Sequence, residues 1–170
     1  MTDSKENIQK FVQNKGNIPL MKKMLNDGTI TDINLLFDNG LSTNTALMFE
    51  TMYGTLEGMK FLLTHNADPN IQDKNGWTAL HKLAFLGEID KKAKTKQLAK
   101  LRLLLDYGAD KSIKTKNGKT ALDLAKGSLS CHDCIKMLSQ GKNKTLRKNK
   151  PKKPKKPKKP KKPKRKTMKH

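Results

Sequence analysis

The chain has 170 residues, with 37 Lys+Arg against 15 Asp+Glu and a formal net charge of +22. Its hydrophobic fraction is 34% and its aromatic fraction 5%, too low for every segment to bury a share of a core. No apolar run approaches the roughly 18 residues that span a bilayer, the first residues lack a signal-peptide pattern, and two cysteines are too few for a disulfide scaffold. Residues 141–170 hold 17 Lys+Arg and no acid, so the remaining charge on residues 1–140 is only +5. This division predicts one core-forming domain, a basic tail, and a protein that stays in a reducing compartment, cytoplasmic or nuclear.

In chain order, Ile8, Phe11 and Val12 are spaced for a short capping helix within an N-terminal segment 1–16. Leu35-Leu36-Phe37-Asp38-Asn39-Gly40 reads as the end of a second helix closing a degenerate unit, 17–43, with Gly40 as its C-cap. Thr45-Ala46-Leu47-Met48 then recurs as Thr78-Ala79-Leu80-His81 and Thr120-Ala121-Leu122-Asp123, at intervals of 33 and 42. Phe61-Leu62-Leu63 with Asn66-Ala67-Asp68 recurs as Leu103-Leu104-Leu105 with Gly108-Ala109-Asp110. One nine-residue insertion within 87–100 accounts for the longer interval. These phrases divide the chain into units 44–74, 75–116 and 117–140. Each pairs a first helix capped by threonine with a second helix ended by a residue tolerant of left-handed backbone. Such pairs are too thin to bury an apolar face alone and must stack.

The period and the phrases Asn75-Gly76-Trp77-Thr78-Ala79-Leu80-His81-Lys82-Leu83-Ala84 and Asn117-Gly118-Lys119-Thr120-Ala121-Leu122 resemble the ankyrin-repeat family. Alanine stands for the family's proline in all three openings, and Met48 and Asp123 stand for its histidine. The resemblance implies an all-α solenoid of three to four helix-turn-helix repeats over 17–140, followed by a disordered tail. It also implies a non-enzymatic protein-binding role, with partners meeting the turn tips and the concave face of the first helices. Carried onto this chain, those positions are Lys74, Asn75 and Trp77 at one tip, Lys116, Asn117 and Lys119 at the next, and Lys82 on the concave helix. Their composition favours an acidic or amphipathic partner. Trp77 reads either as an exposed anchor or as packing sideways on the neighbouring turn. His81 reads as a structural link between turns. The five lysines of the insertion read as a solvated excursion that lengthens the second helix over 97–102, with a basic finger as the sharper alternative.

Features suggestive of chemistry do not assemble into a site. Gly118-Lys119-Thr120 resembles the end of a phosphate-binding loop, but Ile113 stands where the loop's first glycine belongs. Cys131-His132-Asp133-Cys134 has too few companions for a zinc site and reads as free thiols on a last helix. No catalytic constellation, metal or cofactor is therefore expected.

The tail repeats Pro-Lys-Lys from Pro151, which suits polyproline II, with about 3.1 Å rise per residue and one charge per roughly 4.7 Å. A DNA strand has a phosphate every 3.4 Å or so, making contact with a polyanion the expected role. Lys161, Lys162, Lys164, Arg165 and Lys166 also resemble a nuclear-import signal. The expectation is thus an adaptor, monomeric, holding a protein partner on its stack and nucleic acid or an import receptor on its tail. The alternative is a packaging protein that self-associates and condenses nucleic acid. The composition further resembles that of small ankyrin proteins of large DNA viruses and intracellular bacteria.

Overall fold

A computed structural model describes residues 5–14, 16–38, 43–86, 91–127 and 132–140. The capping and terminating signals fall where the repeat places them. Thr45 accepts a hydrogen bond from the Met48 amide at the start of α3 (Ala46–Tyr53), and Thr55 accepts from the Gly58 amide at the start of α4 (Leu56–Thr64). Thr78 does the same for α5 (Ala79–Phe85), and Thr120 for the Asp123 amide in α7 (Ala121–Gly127). Asn66 and Gly108 have φ of 69° and 86°, so both adopt the left-handed backbone that ends a helix. The chain then turns back, and the Ala67 and Ala109 amides bond the Leu62 and Leu104 carbonyls.

Two further helices precede this series, α1 (Lys5–Gln13) and α2 (Ile18–Asn26). The second helix of the third pair is α6 (Lys91–Asp106), and α8 (His132–Ser139) closes the described stack. The first helices α1, α3, α5 and α7 pack in one row, and α2, α4, α6 and α8 in a second. Between the rows lie Leu47, Leu62, Leu80, Leu83, Leu101 and Leu104, each 2% exposed or less. Burying each contributes about 1.5–3 kcal/mol, which no isolated pair could collect. Ala46, Ala79 and Ala121 are buried at the same level of α3, α5 and α7 and let that part of the row close up.

The Leu35–Leu36 segment corrects the reading from sequence. It is not helical. Phe37–Asp38 forms a short strand, β1, antiparallel to β2 (Thr43–Asn44), with Phe37 opposite Asn44; Gly40 lies outside the described residues. A three-residue apolar run carries no period and cannot separate helix from strand. The helix closing the first pair is α2, ended at Asp27-Gly28 with Met21 and Met24 buried. Its first helix is α1, whose Phe11 is 3% exposed in the core. The first pair therefore begins near Lys5, not at residue 17. A recurrent phrase marks the correct alignment: Asp32-Ile33-Asn34, Asp68-Pro69-Asn70 and Asp110-Lys111-Ser112. In each, the aspartate accepts from the amide two residues on, at 2.8–2.9 Å. Asn34 and Asn70 then accept from the Asp68 and Asp110 amides of the next unit, tying the units into a ladder.

The insertion is also resolved in kind. Its described part, from Lys91, lies in α6, a 16-residue helix, and two of its polar side chains cap neighbouring helices. Gln97 donates to the Leu83 and Leu86 carbonyls at the end of α5, and Lys100 Nζ to the carbonyls of Glu50, Thr51 and Gly54 at the end of α3, at 2.9–3.1 Å. Lys94 pairs with Asp133 at 3.1 Å. The described residues 91–100 are thus helical, and residues 87–90 lie outside the described residues.

Candidate functional site

The turn between units is a two-arm finger. The Asp73 and Thr115 amides bond the Trp77 and Lys119 carbonyls, and Gly76 and Gly118 turn the chain at φ of 78° and 71°. Successive fingers stack through the Lys116 amide on the Asn75 carbonyl, 3.0 Å, and through Gln72 Nε2 on the Lys114 carbonyl, 3.0 Å. A Cβ on Gly76 would sit 2.7 Å from the Lys116 nitrogen, whereas a Cβ on Gly118 meets nothing within 4 Å. Gly118→Ala should therefore cost only the left-handed backbone term, about 1–2 kcal/mol. Gly76→Ala should cost more because it also separates the fingers. Urea unfolding of the two variants measures the difference, and equal losses would argue against tight finger stacking.

His81 is fully buried and fills the link expected of it. Its Nδ1 accepts from the Thr78 amide at 3.2 Å, and its Nε2 lies 3.3 Å from the Lys119 carbonyl in the next finger. That arrangement fits the neutral ring with the proton on Nε2. Burial holds its pKa below the ordinary 6.5, outweighing the carbonyls of Lys119 and Ile113 and the Asp73 charge, which favour the cation. Because the folded value is depressed, the unfolded chain takes up this proton first, and stability is lost as pH falls through 6.5. Unfolding temperatures at pH 7.5 and 5.5 should differ less in His81→Gln than in the parent; an unchanged difference would mean that His81 is not the titrating group. In the last described unit Asp123 replaces this histidine, accepting from the Thr120 amide at 2.9 Å and hydroxyl at 2.7 Å. Those two bonds, the backbone one first, hold its carboxyl below the usual range.

The residues expected to meet a partner fall into three groups. Lys74, Asn75, Lys116, Asn117 and Lys119 are exposed at the two finger tips. Lys82 is not a free cation on the helix. Its ammonium lies 2.7 Å from Asp73, whose side chain is fully buried and also accepts the Asn75 and Trp77 amides. The sequence pattern shows a lysine there but not the aspartate nine residues earlier that folds under it. Trp77 follows neither expected course. It is half-buried and lies back along its own helix, with Lys82 Nζ 5.5 Å from its ring and Phe85 edge-on at 5.2 Å.

Phe85, which the sequence reading did not single out, is 58% exposed at the end of α5. On the neighbouring α3, Tyr53 is also 58% exposed and packs on Phe49 at 5.1 Å. Phe85 stands seven residues after Thr78 and Tyr53 eight after Thr45, so both lie at the C-terminal ends of adjacent first helices, one residue apart in register. The capping threonine gives this register but does not single them out. The same row carries no comparable aromatic at Gly127. The face bounded by the fingers and first helices is therefore aromatic in the middle and cationic at its rim.

A family model for ankyrin repeats, in three copies, matches residues 8–92 and 52–148. The chain belongs to the ankyrin-repeat family. Ankyrin repeats mediate protein–protein interaction, and the family is generally non-enzymatic. No curated protein matches the chain. Outside the first-helix face, this ankyrin stack has a concavity of about 600 Å³ between the α3–α4 turn, the end of α5 and the start of α6. Its lining includes Met52, Leu56, Leu83 and Leu86, while the donors of Gln97 and Lys100 are committed to helix ends. Cys134 is buried and disulfide-bonded, which corrects the free thiol expected there; Cys131 lies outside the described residues. Residue spacing alone does not reveal oxidation state. Among the described residues, no group of three or more His, Cys, Asp or Glu could hold a metal ion, and no helix is long and apolar enough to cross a membrane. The tail residues Lys161, Lys162, Lys164, Arg165 and Lys166 lie outside the described residues.

Proposed function

We propose that this ankyrin protein is a binding adaptor whose first-helix face holds a protein partner and whose tail holds a polyanion or an import receptor, in the cytoplasm or nucleus. The observation supporting the first half is the pair of large aromatic side chains, Tyr53 and Phe85, each 58% exposed on adjacent helices of a repeat family that binds proteins. Large exposed aromatics rimmed by polar groups are the usual anchors of an interface. The second half rests on 17 positive charges without a negative one over residues 141–170. The charge density supports salt-sensitive contact with phosphate, read by charge rather than sequence.

Affinity capture separates the two halves. The full chain, a Tyr53→Ser/Phe85→Ser variant and a chain ending at Gln140 are compared as baits. The double variant should lose protein partners and keep nucleic acid, and the truncation should do the reverse. Equal lists from all three would contradict the adaptor. The packaging alternative shares the basic tail and differs in oligomeric state: a defined oligomer in a sizing measurement of the full chain would favour it, and a monomer favours the adaptor.

A further inference from the structure

We infer that the segment taken by this face is an acidic one carrying large apolar anchors; the inference rests on the adaptor reading and adds the chemistry of the partner. The apolar half follows from what is left uncovered. Tyr53 and Phe85 each present more than half their surface to solvent, on helices that are otherwise among the most buried in the molecule. Burying such rings is the largest favourable term the face can offer. The acidic half follows from the charges around them. Lys74, Lys116 and Lys119 are exposed at the finger tips, where the acids of the same turns are fewer. Asp73 is buried beneath Lys82, and Asp123 accepts from both Thr120 donors. Asp123 keeps its charge beside Lys119, and Asp38 is exposed on the first finger, so the three tip lysines leave a small net positive charge that steers and orients an anion.

Nucleic acid would satisfy the same charge, but the rings are poorly placed to stack bases. Lys82 Nζ sits over the Trp77 ring, Phe85 stands nearly perpendicular to Trp77, and Tyr53 is tilted 60° against Phe49, so no two rings lie parallel to receive a base between them. A run of stacked bases needs successive ring faces aligned along the strand. Side chains entering between the two aromatic pairs need only their edges and flanks.

The test is selection of displayed random 16-residue peptides on the full chain, with counter-selection on full-length Tyr53→Ser/Phe85→Ser. Both proteins carry the same tail, so peptides held by the tail alone are removed. Both substituted positions are exposed, and circular dichroism of the variant should match the parent. The recovered peptides should be net negative and carry Leu, Met, Phe or Trp. Affinity of those lacking tryptophan is read from the fluorescence of Trp77, the chain's single tryptophan. It should fall roughly thirtyfold or more in the double variant, as for hot-spot truncation. It should also fall about tenfold in Lys116→Glu/Lys119→Glu and weaken with added salt. Neutral or basic apolar peptides that still require Tyr53 and Phe85 would overturn the acidic partner and leave the face as the binding surface. No enrichment, or peptides indifferent to the double variant, would overturn both. Oligouridylate binding that depends on Phe85 would overturn the proposal in favour of nucleic acid.

Discussion

Glu50→Ala is expected to lower the unfolding free energy by about 3–5 kcal/mol, the range for removing one member of a buried charge cluster. Glu50 is 2% exposed, within α3. Its Oε1 accepts the Gly16 amide at 2.7 Å and its Oε2 the Thr55 amide at 3.0 Å, so it joins the first pair of helices to the second. Lys100 donates to its backbone carbonyl, and burial holds the Lys100 pKa below 10.5 although the Glu50 charge supports the cation. Truncation leaves two amides without their acceptor and the half-buried ammonium without its nearest countercharge. Two glycines show how closely the carboxylate is held. A Cβ at Gly54 or Gly58 would fall on it, at 2.8 Å from Cδ in the case of Gly58. Alanine for glycine inside a helix ordinarily gains about 1 kcal/mol. Gly58→Ala should instead destabilise the parent and return to a gain in the Glu50→Ala background. Urea melts of the four proteins form the cycle, and additive effects would contradict a carboxylate seated against Gly58.

The second large effect concerns the tail. A protein making six to ten phosphate contacts loses about 10³–10⁵ in affinity between 50 and 200 mM salt, and the 17 charges of residues 141–170 suffice for that number. Filter binding of the full chain to a random-sequence duplex should show this steep loss and no dependence on sequence. A chain ending at Gln140 should lose retention at low salt while its unfolding temperature stays within a degree or two of the parent's. Retention by the truncated chain would move the polyanion contact onto the repeats and refute the tether.

The parts of the fold legible in the sequence are those governed by local rules. Thr45, Thr78 and Thr120 cap because a hydroxyl before an apolar turn accepts an amide three residues on. Asn66 and Gly108 end helices because few other residues accept positive φ. His81 links fingers as the resemblance implied. What stayed hidden depends on partners far apart in the chain. Lys100 is one of five insertion lysines in the sequence, and only the packing of α6 beside the end of α3 makes it a cap for three carbonyls. Lys82 lies on the first helix as the repeat implies, but its ion pair is hidden in the sequence, since the buried Asp73 becomes its neighbour only when the finger folds back. Leu35 and Leu36 misled because an apolar run that short fits either a helix end or a finger strand. The repeat register puts Phe85 level with Met52 and not with Tyr53, so the aromatic centre of the face is not marked by the repeat itself.

Site-specific photocrosslinking tests most directly whether partners meet the first-helix row. A photoreactive phenylalanine analogue is placed in turn at positions 53, 85 and 116, and at Lys60 and Arg102, which are exposed on α4 and α6 of the opposite row. The account predicts one protein adduct shared by the first three positions and absent from the last two. Adducts of equal yield from both rows, or from positions 60 and 102 alone, would contradict it.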